Sequence, residues 1–214
     1  MMRFAALLAM MFLAGTHAFH LRAADRLFQI NFDKAEVGRV PDDFLVLDGG
    51  FAVQADGASR FLELPGSPLE SFGVLFGPTE KDGVRVGARI LATSKGRRHP
   101  VIGVGLNGAV PFRLQMAPAK KALELYKGDE LLASVPFAWE SGSWTEFRLQ
   151  LTRAGDSGWT LQGKAWKQGT PEPPAWTVTQ TVKEEPVAGR ASVWGKPFSE
   201  TPIRFDDLFV EKAS

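Results

Sequence analysis

The 214-residue sequence predicts an all-β protein, a two-sheet antiparallel β-sandwich of jelly-roll type. Apolar and polar residues alternate with a period of two along one segment after another. In Trp144–Thr152, for example, Phe147, Leu149 and Leu151 stand against Glu146, Arg148 and Gln150. Turn chemistry interrupts the chain at intervals of about eight to twelve residues, drawing on 22 Gly and 14 Pro. The two ends carry matching strand patterns, Leu27–Asp33 and Pro202–Val210, which read as edges that close one sandwich.

Each element follows from this punctuation. After the first strand, turns at Gly38–Asp43, Asp48-Gly49-Gly50, Ala55-Asp56-Gly57, Pro65–Pro68, Gly77-Pro78 and Lys81-Asp82-Gly83 bound strands at Phe44–Leu47, Phe51–Gln54, Phe61–Leu64 and Gly73–Phe76. Longer strands follow at Val84–Ala92, Val101–Leu106, Pro111–Met116, Ala122–Tyr126 and Leu131–Phe137. Asn107-Gly108 is a hairpin signal, because both residue types accept the positive φ of a type I′ turn. Lys127–Glu130 marks a second hairpin. Trp144–Thr152 and Trp159–Trp166 make a half-buried meander. The proline-rich stretch Gly169–Pro174 reads as a loop that switches sheets before Trp176–Val182, Ala188–Trp194 and the closing strand. No helix longer than a turn is required.

Length and composition suit one domain, residues 27–214, with 44% hydrophobic residues, 16 Phe and 6 Trp to fill a core. The first 18 residues read as a signal peptide: Arg3, an apolar run Phe4–Ala14, and small residues before a cleavage site after Ala18. The run is too short for a membrane span, which needs about 20 apolar residues. Residues 19–26 form an exposed lead. Export with no Cys excludes disulfides and a lipid-carrying cysteine, and points to a secreted or periplasmic bacterial protein. Loss of the leader removes Arg3 and no acid, so the 25 Lys and Arg become 24, level with the 24 Asp and Glu. A neutral chain gives no electrostatic basis for binding nucleic acid or anionic lipid.

Five segments carry a resemblance: Asn31-Phe32-Asp33, Asp48–Val53, Trp144–Leu149, Gly189–Trp194 and Phe205–Val210. In this order the chain resembles the concanavalin A-like lectin/glucanase superfamily, and is similar to laminin-G-like domains and to the 3-keto-disaccharide hydrolase-type domain. The resemblance implies a carbohydrate partner held on a concave sheet, in many members without catalysis. It also implies a structural Ca2+, with the Asp206 carboxylate joined by oxygens from the regions of Asp33 and Gly50.

The residues leave little for catalysis. The Glu-x-Asp-x-x-Glu pattern that places two carboxylates about 5 Å apart in retaining glucanases is absent. Asp206 and Asp207 alternate along one strand, so they are expected on opposite faces, as charges that keep an edge soluble. His99 is the one histidine placed in the fold, too few for a zinc site and with no serine partner evident in the sequence.

Tryptophan is the remaining signal, since aromatic rings stack on the C–H faces of sugars while polar groups take the hydroxyls. Strand parity puts Trp166 with Gln162 and Lys164 on a polar side; Trp139 lies in a loop and Trp176 follows prolines. With Arg113 and Gln115, expected to line the same groove, these are the candidate ligand-binding residues. A glycan-binding module is the leading reading. A glycoside hydrolase of the 3-keto-disaccharide type and a non-catalytic protein-binding scaffold are the alternatives.

Overall fold

The computed structural model describes residues 25–67, 70–109, 112–155 and 158–213; the expected signal peptide and all but the end of the lead lie outside them. The strands are β1 (Arg26–Ile30), β2 (Leu45–Asp48), β3 (Ala52–Asp56), β4 (Ser59–Leu64), β5 (Phe72–Glu80), β6 (Val84–Leu91), β7 (Val101–Leu106) and β8 (Phe112–Ala117). They continue as β9 (Ala122–Lys127), β10 (Glu130–Pro136), β11 (Trp144–Arg153), β12 (Trp159–Lys167), β13 (Val178–Val182), β14 (Gly189–Lys196) and β15 (Ile203–Lys212). Every expected strand is present. The one helical element among the described residues is a short 3-10 turn, Pro118–Lys120.

Two antiparallel sheets result. Sheet A runs β13-β12-β11-β6-β15-β4-β3, with β1 also on β15; sheet B runs β10-β9-β8-β7-β14-β5-β2. The period-two pattern turns one parity inward. Val86, Ala88 and Ile90 of β6 and Phe147, Leu149 and Leu151 of β11 meet Leu114, Met116, Leu123 and Leu125 of sheet B in one closed core. Each of these side chains larger than alanine contributes about 1.5–3 kcal/mol on burial. The opposite parity faces outward, so each sheet presents an outer face on which polar chemistry is displayed.

Five expectations change. The chain ends do pair, β1 against β15, but β15 is not an edge: it lies inside sheet A, between β6 on one side and β4 and β1 on the other. Its acids suggested an open edge, yet Asp206 and Glu211 are 3% and 4% exposed because Arg89 and Arg85 of β6 neutralise them. The opposite-face reading of Asp206 and Asp207 also fails. Asp207 adopts φ 49° in a bulge between Asp206 and Phe209, which resets the alternation. Both carboxylates reach Arg89, Asp206 Oδ2 at 2.5 Å from Nη2 and Asp207 Oδ2 at 3.0 Å from Nε.

Gly169–Pro174 does not switch sheets, since β12 and β13 are neighbours in sheet A. The loop folds back over that sheet, where Lys164 Nζ donates to the Pro173 carbonyl at 2.7 Å and pairs with Glu172 at 2.8 Å. Asn107 and Gly108 take the expected positive φ, 69° and 86°, but β7 and β8 part at Leu106 and Phe112, so the connection is residues 107–111 rather than a two-residue turn. The Asn107 amide holds this loop by donating to the Lys81 and Val187 carbonyls, both at 2.8 Å. The lead, finally, is shorter than expected, because Arg26 already belongs to β1.

Candidate functional site

The outer face of sheet A is a closed system of charge. Arg148 of β11 lies between two rings, 5.0 Å from the Trp166 centroid and 4.5 Å from that of Phe209. Lys164 stands 4.8 Å from the Trp176 ring and Arg89 4.8 Å from Trp144. Each cation has an acid: Arg148 with Glu146, Lys164 with Glu172, Arg89 with Asp206 and Asp207, and Arg85 with Glu211. Gly87 makes the stack possible, since a methyl there would overlap the Phe209 ring and meet Arg148 Nη1 at 2.8 Å. Burial pushes the Glu146 and Asp206 carboxyls above the usual carboxylate range, and burial lowers the Arg148 guanidinium, each opposed by its ion-pair partner.

The outer face of sheet B is built from two rows of residues in register. One runs Leu75–Ser192–Gly105–Arg113–Tyr126–Leu131 and the next Gly73–Trp194–Gly103–Gln115–Glu124–Ser134. The β8–β9 side is satisfied: Glu124, 1% exposed, accepts from Gln115 Nε2 at 2.9 Å, Lys120 Nζ at 3.0 Å and Tyr126 Oη at 3.1 Å. The hydrogen bond from Lys120 raises that amine's pKa, and burial followed by the Glu124 charge keeps Tyr126 protonated as a donor.

The β14 side differs. Glycines at 73, 103 and 105 leave the strands bare, so the Trp194 indole lies flat over Gly103, where a Cβ would stand 2.9 Å from the ring. Arg113 reaches to 5.1 Å from the Trp194 centroid and donates to the Gly128 carbonyl at 2.5 Å. A cleft of about 170 Å³ opens beside them, lined by Leu47, Asp48, Phe72, Arg113, Ser192 and Trp194 among others. Three polar atoms of that lining are buried with no hydrogen-bond partner among the described residues: Arg113 Nε, Ser192 Oγ and Trp194 Nε1.

The candidate ligand residues are therefore not brought into one groove. Trp166 and Trp176 lie on sheet A, held by Arg148, Lys164 and Arg85, while Arg113 and Gln115 lie on sheet B at the far side of the core. Trp139 sits at the end of the sandwich in a cavity of about 410 Å³ with Phe137, Pro118, Lys121, Ser94 and His99. Folding does supply His99 with a serine, Ser94 Oγ at 2.8 Å from Nδ1, across the short hairpin that Lys95 and Arg98 close. Trp194 and Ser192, which line the sheet B cleft, are not among the residues that the sequence singles out. Their shared parity, opposite to Val193 and Ala191, was the available signal.

The calcium set was tested against the same geometry. Asp206 spends Oδ2 on Arg89 and Oδ1 on the Asp207 amide at 2.7 Å, Asp33 accepts from Asn31 Nδ2 at 2.8 Å, and Gly50 packs against Pro65. Among the described residues no group of three or more His, Asp or Glu could hold a metal ion. These residues do not fit a calcium ion, because a guanidinium already occupies the one buried carboxylate.

No family model and no curated protein matches the sequence. Solved structures do match in fold. A galectin-like protein of unknown function from Bacillus subtilis superposes with a TM-score of 0.61 at 13% identity, covering 89% of this chain and 97% of that one. The carbohydrate-binding module CBM66 from Bacillus subtilis gives 0.57 at 7% identity, over 79% and 96% of the two chains. The carbohydrate recognition domain of Emp46p in its metal-free form gives 0.60 at 8% identity, over 90% and 100%, and that domain also has a potassium-bound form. At these identities the likeness establishes the jelly-roll sandwich.

Proposed function

We propose that the protein is an exported carbohydrate-binding module, which holds a glycan without cleaving it in the cleft between Trp194 and Arg113 on sheet B. The carrying observation is that three residues lining one cleft, Arg113, Ser192 and Trp194, each have a buried polar atom, Nε, Oγ and Nε1, without a partner among the described residues. Leaving such a group unsatisfied costs about 1–3 kcal/mol, and proteins retain unsatisfied groups where a function uses them. Sugar oxygens satisfy them, and the apolar Leu47 and Phe72 beside the Trp194 ring suit the C–H face of a pyranose. The fold neighbours support the same class of ligand, since two of them are described as carbohydrate-binding. Export rests on the reading of residues 1–18 as a signal peptide.

The test is titration of intrinsic tryptophan fluorescence with a panel of neutral and acidic oligosaccharides, each mixture also assayed for released sugar. A saturable change that Ser192→Ala weakens, without release, is expected. Release of sugar would replace this reading with the hydrolase. Silence across the panel would leave the protein-binding scaffold.

A further inference from the structure

The orphaned atoms also specify the ligand's chemistry. Arg113 Nε and Trp194 Nε1 are donors only, and a serine hydroxyl can donate as well, so the base of the cleft asks for acceptors. Arg113 moreover differs from four cations of sheet A. On sheet A, Arg85, Arg89, Arg148 and Lys164 each hold a carboxylate, and two of those acids, Asp206 and Glu211, are buried. Arg113, itself half-buried, has as its acidic contact Asp129 at 3.5 Å, a side chain fully open to solvent. A contact of that kind contributes little, because water screens it. The charge beside the cleft is therefore poorly neutralised, next to two uncharged donors.

We infer that the cleft takes a sugar that carries a carboxylate, a uronic acid unit of a polysaccharide. Its two oxygens supply the acceptors that Arg113, Ser192 and Trp194 lack, and its charge completes the ion pair that Asp129 leaves weak. Charge-assisted hydrogen bonds of this kind are roughly twice as strong as neutral ones. Asp48, which lines the same cleft, has its Oδ1 turned to the Gly49 amide at 2.7 Å. This inference rests on the cleft being a sugar site.

The experiment compares galacturonate and glucuronate oligomers with galactose and glucose oligomers of equal length, and with the methyl-esterified uronates, which keep the shape and lose the charge. Binding is read by calorimetry on the full protein. The free acids are expected to bind about tenfold or more tighter than either comparison set. Salt should erode that advantage, as should Arg113→Gln, with Arg113→Lys between the two. Melting curves of both variants accompany the titrations, and the wild-type comparison stands by itself if either variant is misfolded. Equal affinity for acid, ester and neutral sugar, all weakened by Ser192→Ala, would overturn the uronate assignment and leave the sugar site intact. No binding to any of the three sets would overturn both.

Discussion

The two outer faces of this sandwich display similar side chains and resolve them in opposite ways. On sheet A, arginine, lysine, tryptophan and acid are interleaved until each cation has an acid and a ring: Phe209, Arg148, Trp166, Lys164 and Trp176 succeed one another with Glu146 and Glu172 beside them. On sheet B the same ingredients stop short, and Arg113, Ser192 and Trp194 keep buried atoms with no partner among the described residues. Sheet A keeps one such atom, Arg89 Nε, which still lies 3.0 Å from the Asp207 carboxylate, so its face is the more nearly finished. The unfinished face is where a ligand has something to add. Aromatic content alone points to sheet A, where Trp166 and Trp176 pack against cations, and not to the cleft proposed above.

The comparison predicts opposite outcomes for mutation. Arg148→Met should be the most damaging single change, since it leaves Glu146 half-buried without its cation. We expect a loss of about 2–3 kcal/mol, a fall in Tm of about 5–10 °C by thermal denaturation, and recovery of most of it when Glu146→Leu is added. No recovery would mean that Arg148 acts by packing between its two rings. Ser192→Ala on sheet B should do the reverse, leaving stability unchanged or raising it by up to about 1 kcal/mol, because it removes an orphaned hydroxyl. A clear loss of stability would show that the hydroxyl has a partner after all.

A smaller effect concerns pH. The folded-state pKa values of Glu146 and Asp206 are raised, so the folded chain binds their protons more tightly than the unfolded one. From the usual carboxylate range upward to their raised values, stability falls as pH rises. The exposed Glu140, Glu184 and Glu185 are lowered by Lys167, Lys127 and Lys81, and act in the other window, where stability is lost as pH falls below that range. Tm should therefore peak at mildly acidic pH, and Glu146→Gln should flatten the decline on the neutral side. The smallest expected effect is that of a chelator or added calcium, which should leave Tm unchanged; a shift would show that Asp206 can exchange its guanidinium for a metal.

Much of the fold was legible from local chemistry. Period-two alternation and glycine or proline turns placed all fifteen strands, and parity put Trp166 on the polar side and Trp159 in the core, where its Nε1 donates to Asp82 at 2.6 Å. What local chemistry does not encode is lateral order. The acids of β15 read as an edge because the arginines that neutralise them lie on β6, more than a hundred residues away. The bulge at Asp207 defeated the face assignment for a related reason, since one residue at positive φ reverses parity without a Gly or Asn to announce it. At the proposed cleft, Arg113 is legible because it alternates with Phe112 and Leu114; Trp194 is not, because its strand is otherwise a core strand.

The position of β15 also dictates when this protein can fold. Sheet A is divided by its final strand: without it, β13-β12-β11-β6 and the β3–β4 hairpin share no ladder, and Arg85 waits on an acid 126 residues later in the chain. Sheet B is cut in the same way until β14 joins β7 to β5. Closing such long loops comes before any contact rewards it, so this topology belongs with slow folders. A chain emerging from synthesis displays an open β6 edge until β15 has been made, and such an edge is a template for pairing with another copy.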